Sequence, residues 1–335
     1  MIPIKVKDLY FLSVIVAIQL ANQIGSPLLK ERIVEAIAFA ANRFSKNKRQ
    51  QIESNLYRAF ADRFNHEQRR KVIKGAFYEF WRSMFSLLPS RAEKGALGEI
   101  EVKGLEHLHT ALKKGKGVIL WESNGFGSRV VAKQVLHARG YFLHQVHGVN
   151  HLGGFLVNDS TASWVRRWIK RTFNSWEREF ISEIIDLPET NSLAFTRILS
   201  RLLSHNAILC ISGDGKTGHN FVRLHFLGRT ESFATGIVSL SIISGASILP
   251  MFCVRGRNRQ TSVVIERPID IQVNTDRQRR SENGIGQYIK LLEAYIGRYP
   301  EQYRNWHLMG PANNLLKYRF AREIANEKRS DLSAT

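Results

Sequence analysis

Apolar and polar positions change their period several times along this chain, and each change marks an element. Gly117-Val-Ile-Leu-Trp is apolar throughout, Glu122-Ser-Asn-Gly-Phe-Gly-Ser follows as a polar, Gly-rich turn, and a helical period begins near Arg129. Similar short apolar runs predict strands at 118–122, 141–147, 207–212, 248–254 and 262–266. Apolar residues at three- and four-residue spacing predict helices over 128–138, 160–185, 192–204, 234–244 and 282–299. Such alternation implies an α/β fold with a largely parallel central sheet flanked by helices.

Ahead of this alternation the pattern is helical alone. Ile33, Val34, Ile37, Ala38, Ala41 and Phe44 share one face, a basic break Ser45-Lys-Asn-Lys-Arg-Gln-Gln51 follows, and helices are expected around 52–60 and 66–88. The chain therefore divides into a helical arm (1–95), an α/β domain (96–326) and a polar tail (327–335). Leu9-Tyr-Phe-Leu-Ser-Val-Ile-Val-Ala-Ile-Gln-Leu-Ala21 is largely apolar, but it is short for a span of about 20 apolar residues. A helix lying in a membrane interface suits it, with a single anchor or an ordinary core helix as alternatives.

One helix separates its faces cleanly. At about 100° per residue, Trp164, Val165, Trp168, Ile169 and Phe173 share one half and Arg166, Arg167, Lys170 and Arg171 the other. Tryptophans beside a cationic face suit a bilayer interface. A surface helix whose apolar half meets the core has the same pattern.

Charge narrows the partners. The 335 residues carry a formal net charge of +20, so nucleic acid, an anionic membrane leaflet or an acidic or phosphorylated substrate would each be attracted. No RNA- or DNA-binding module accompanies the charge, which argues against nucleic acid. Cys210 and Cys253 sit in apolar runs and read as buried, inert thiols, and no metal-ligand spacing occurs. Two nucleotide loops are also excluded. Cys210 stands where a P-loop ending at Gly215-Lys216-Thr217 needs glycine, and Val130 stands where a dinucleotide fingerprint starting at Gly125 needs its third.

Six pieces occur in a recognisable order: Ser54-Asn55-Leu56 after the basic break; Gly117-Val-Ile-Leu with Phe126-Gly127; Gly213-Asp214-Gly215; Phe226-Leu-Gly-Arg229 with Thr235-Gly236; Ser244-Gly-Ala-Ser-Ile-Leu-Pro250; and Pro300-Glu-Gln-Tyr-Arg-Asn-Trp-His307. In this order the chain resembles the bacterial lipid A biosynthesis acyltransferases of the late, lauroyl/myristoyl type, within the lysophospholipid acyltransferase superfamily. The resemblance implies an enzyme at the cytoplasmic face of the inner membrane, peripheral or singly anchored. It would take a fatty acyl chain from acyl carrier protein or coenzyme A, with no further cofactor, to a hydroxyl or amine of an amphiphilic acceptor.

The family places a histidine and, five residues on, an acid at the turn occupied here by 124–130. With Phe126-Gly127 in register, Gly125 and Val130 take those places; a slip by one gives Asn124 and Arg129. Either way the general-base pair is missing. His144, His147 and His151 lie on or just after the neighbouring strand, and alternation puts His147 with Gln145 on one face. His147 is the candidate replacement base, Glu122 its orienting carboxylate, and Ser123 a donor or nucleophile. Asn124, Gly125, Gly127 and Arg129 would hold substrate, the turn's N–H groups stabilising the thioester oxyanion. Asp214 would shape the acceptor pocket and Arg229 clamp a phosphate or carboxylate. The alternatives are that the histidines are satisfied strand-end residues, that the fold binds lipid without turnover, or that an acyl-enzyme forms on Ser123.

Overall fold

A computed structural model describes residues 6–23, 26–87, 97–147, 163–186, 192–213, 220–256, 258, 260–271 and 276–309. Its centre is a seven-stranded sheet in the order β1-β9-β8-β2-β5-β3-β4. The strands are β1 (Glu101–Lys103), β2 (Val118–Glu122), β3 (Leu143–His147), β4 (Glu183–Asp186), β5 (Ile208–Ser212), β8 (Ser247–Arg255) and β9 (Thr261–Ile265). β8, β2, β5, β3 and β4 run parallel, and β9 reverses against β8. A separate antiparallel hairpin pairs β6 (Phe221–Phe226) with β7 (Arg229–Ala234).

Parallel strands buried on both faces must be apolar in both directions, and β2 is buried along its whole length. Its odd-numbered side chains, Ile119 and Trp121, share a core with α3 (Lys46–Phe60), α4 (His66–Phe85), α8 (Ser192–Ser204), α9 (Gly236–Ser244) and α10 (Arg277–Arg298). Val118 and Leu120 point the other way, into a core built with α5 (Leu105–Leu112), α6 (Arg129–His137) and the end of α7 (Trp164–Glu177). Because α3 and α4 share the first core with the sheet, the second half of the helical arm is packed onto the α/β layer.

Helix α1 (Val6–Gln23), α2 (Pro27–Phe44) and α7 make a third cluster, in which Ile15 and Ile18 meet Val165, Ile169 and Phe173. The apolar stripe of α7 is thus in a core, while Trp164 and Trp168 remain 46% and 38% exposed. Among the described residues no helix is long and apolar enough to cross a membrane.

One expectation needs correcting. The helix expected over 160–185 ends at Glu177, and Glu183–Asp186 is strand β4 on β3. The residues between, Arg178, Glu179 and Phe180, close a turn in which Ser182 N–H donates to Leu143 O at 2.8 Å, so pairing with β3 overrides the helical period. The hairpin and the short β1 and α5 carried too little periodicity to be anticipated.

Candidate functional site

The registers of β2, β5, β3 and β4 line up Glu122 with Ser212, and His147 with Asp186, along the C-terminal edge of the parallel strands. This is where open α/β sheets collect their ligand-binding groups. Alternation sends Glu122, Ser212, Gln145 and His147 to the face covered by α6 and α7, alongside Leu120, Cys210 and Leu143. Glu122 and His147 are two strands apart, about 10 Å by strand spacing.

The carboxylate that reaches His147 is Glu177 on α7. His147 Nε2 lies 2.9 Å from Glu177 Oε2, and its Nδ1 lies 3.8 Å from the exposed Asp186. Burial pulls the His147 pKa down; hydrogen bonding and charge from Glu177 oppose that, and Lys133 and Arg129 add to it. The imidazole is therefore held neutral near pH 7, the form a general base needs.

Lys133 completes the cluster. Its fully buried ammonium donates to Glu177 Oε1 at 3.0 Å and to Gln145 Oε1, while Gln145 Nε2 donates to Val146 O and Cys210 O at 2.8 and 3.1 Å. A buried ammonium would be costly unpaired, and here both acceptors are fixed. Arg129, one helical turn earlier, donates from Nη1 to Ser212 Oγ at 3.1 Å. The pattern gave a clue to Glu177, which continues the α7 stripe Val165, Ile169, Phe173 by one further step of four. Lys133 sits on a helix whose residues 130–136 are all buried, so its period pointed nowhere.

The turn after β2 is arranged differently from expectation. Ser123 Oγ accepts from the N–H groups of Gly125 and Phe126 at 3.1 and 3.0 Å, and Gly127 N–H donates to Gln302 O at 3.3 Å. These donors are engaged by Ser123 and by Gln302 and are not presented to an oxyanion. Phe126 bridges to Tyr303, and Arg304 donates from its backbone N–H to Gly125 O and from Nη2 to Asn124 O, both at 2.7 Å. A Cβ on Gly125 would lie 2.5 Å from Tyr303 Cε2 and 2.6 Å from Asn305 Nδ2. The space a side chain at Gly125 would need is filled by the 303–305 segment. Gly127 has φ +63°, and a Cβ there would meet Cys253 O at 1.9 Å.

Arg229 stands apart from this edge. Its Nη2 donates to Asn55 Oδ1 at 2.6 Å, and Asn55 Nδ2 donates to Trp306 O and Met309 O at 2.7 and 2.9 Å. Arg229 thus ties the hairpin to α3 and the 303–309 segment. Asp214 and His151 lie outside the described residues. Gly213 is explained sterically, since a Cβ there would fall 1.1 Å from Trp121 Nε1. Both cysteines are buried free thiols with raised pKa, Cys253 to about 11 by burial. Among the described residues no group of His, Cys, Asp and Glu could hold a metal ion.

A parallel α/β sheet carrying a buried imidazole–carboxylate pair at its C-terminal edge defines a fold suited to acid–base chemistry. Residues 5–127 and 166–308 match the bacterial lipid A biosynthesis acyltransferase family, and the chain belongs to that family. The match breaks at Gly127 and resumes at Arg166, so Arg129, Lys133, Gln145 and His147 all fall in the intervening segment. No curated protein matches the chain.

Proposed function

We propose that this protein transfers a fatty acyl group from an acyl thioester, on acyl carrier protein or coenzyme A, to a hydroxyl or amine of a lipid or glycolipid acceptor, using a relocated base. The observation that carries the reading is the neutral His147 imidazole held by Glu177 at the C-terminal strand edge. His147 Nδ1 takes the proton of the acceptor as its oxygen or nitrogen attacks the thioester carbonyl carbon. The C–S bond then breaks, and the imidazolium returns the proton to the departing thiolate. Glu177 steadies the transient positive charge on the imidazole. Arg129 supplies the nearby cation for the developing oxyanion, a part the engaged turn amides do not play.

The protein works peripherally at the cytoplasmic face of the inner membrane in this reading. Support comes from the +20 charge and from exposed Trp164 and Trp168 on α7, Leu20 on α1, and Phe39 and Phe44 on α2. Aromatic and aliphatic side chains beside cations favour an anionic interface.

One observation favours a second reading, lipid binding without turnover. Tyr303 and Asn305 fill the space at Gly125 where the family's histidine belongs. Incubation with acyl thioesters and lipid A-type glycolipid acceptors separates the two. Thiol release with an acceptor heavier by one acyl group supports transfer; bound acyl chain with no thiol release supports the silent reading.

A further inference from the structure

We propose that a cavity in the helical arm binds the alkyl chain of a single-chain lipid with a carboxylate head. It has a volume of about 470 Å³, lies between α1, α2, α3 and α4, and is lined on one side by Arg304 and His307. Ala17, Ala40, Ala41 and Ala76 keep it open, and Phe77 and Trp81 wall it. Its size falls within the ~300–1,000 Å³ of small-ligand sites, at the low end, which suits one chain.

The lining names the head group. It contains Lys48 and Arg304 and no acidic residue. Lys48 Nζ lies 5.7 Å above the Phe80 ring, and among the described residues no carboxylate pairs with it. Burial, then Lys48, depresses the His307 pKa to about 4, so that imidazole adds no charge near pH 7. A cation at the rim of an alanine-lined slot fits an anion on an alkyl chain.

This site is distinct from the His147 cluster. Ile52, Ala76 and Phe77 share their core with Ile119 and Trp121, on the sheet face away from His147. The inference therefore stands apart from the acyl-transfer reading. The cavity still touches the turn, because Arg304 both lines it and holds Asn124 O and Gly125 O.

The test titrates the full chain with cis-parinaric acid, a fluorescent fatty acid, and displaces it with dodecanoate, dodecanol or a lysophospholipid. The expected result is one saturable site displaced best by dodecanoate. Ala41→Phe fills the slot and removes binding, whereas His147→Gln binds as wild type. Lys48→Met, at an exposed position, weakens dodecanoate about 10-fold and leaves dodecanol unchanged. No saturable binding to the wild type, or dodecanoate affinity unchanged in Lys48→Met, would overturn the proposal. Equal displacement by lysophospholipid and dodecanoate would overturn the carboxylate assignment.

Discussion

His147 and Glu177 face each other at 2.9 Å across the α7 side of the sheet, although 30 residues separate them and neither lies in the Ser123–Gly127 turn. The pair depends on Lys133, which holds the other carboxylate oxygen of Glu177 at 3.0 Å. Removing one member of a buried ion pair leaves the other uncompensated. Lys133→Met is expected to lower stability by about 3–5 kcal/mol, read from urea unfolding midpoints. A loss below about 1 kcal/mol would mean that Glu177 is satisfied without Lys133.

Gly125→His places an imidazole at the turn but creates no working base there. The new side chain must displace Tyr303 and Asn305, which stand within 2.5 and 2.6 Å of the added Cβ. Overpacking of this kind costs about 1–3 kcal/mol. The variant should unfold at lower urea and gain no thioester turnover; increased turnover would show that the 303–305 segment yields readily.

Asn55 is buried and serves three partners, Trp306 O, Met309 O and Arg229 Nη2. Asn55→Ala strands these groups and should cost about 2–3 kcal/mol. Arg229→Lys should lose stability too, because a lysine cannot reproduce the guanidinium contact. If Arg229→Lys left stability unchanged but weakened binding of an anionic acceptor, Arg229 would be a ligand clamp after all.

Acid sensitivity follows from two depressed imidazoles. An unfolded histidine takes up its proton near pH 6.5. Folded His147 and His307 do so lower, near pH 4 for His307. Their contribution to stability is complete above the unfolded value and declines as pH falls from 6.5 toward the folded value. Each adds a slope of up to about 1.4 kcal/mol per pH unit within its window. Unfolding midpoints between pH 7 and 4.5 should show this slope, and His307→Asn should flatten it; an unchanged slope would remove His307 from the account.

Much of the fold was legible because buried parallel strands and amphipathic helices write their period into the chain. Val118–Glu122 and Ser192–Ser204 stand where their patterns predicted. Glu183–Asp186 was illegible because its pairing with β3 is non-local. At the site, alternation placed His147 and Gln145 on one face. Their partners come from helices on either side in the chain, Lys133 12 residues before Gln145 and Glu177 30 residues after His147, and a sequence pattern has no term for that approach. Glu122 was the nearest carboxylate in sequence to the turn, yet Glu177 is the one that meets His147. The filling of the Gly125 site by Tyr303 and Asn305 was equally hidden, because it depends on a segment nearly 180 residues later.

The central claim is that His147 Nδ1 carries the proton in acyl transfer. His147→Gln retains an N–H for Glu177 and removes the basic nitrogen, so thioester consumption in this variant, with its thermal midpoint measured alongside, is the direct measurement. The account predicts a fall of about 100-fold or more in turnover by a folded protein. Turnover at the wild-type rate in folded His147→Gln would contradict it.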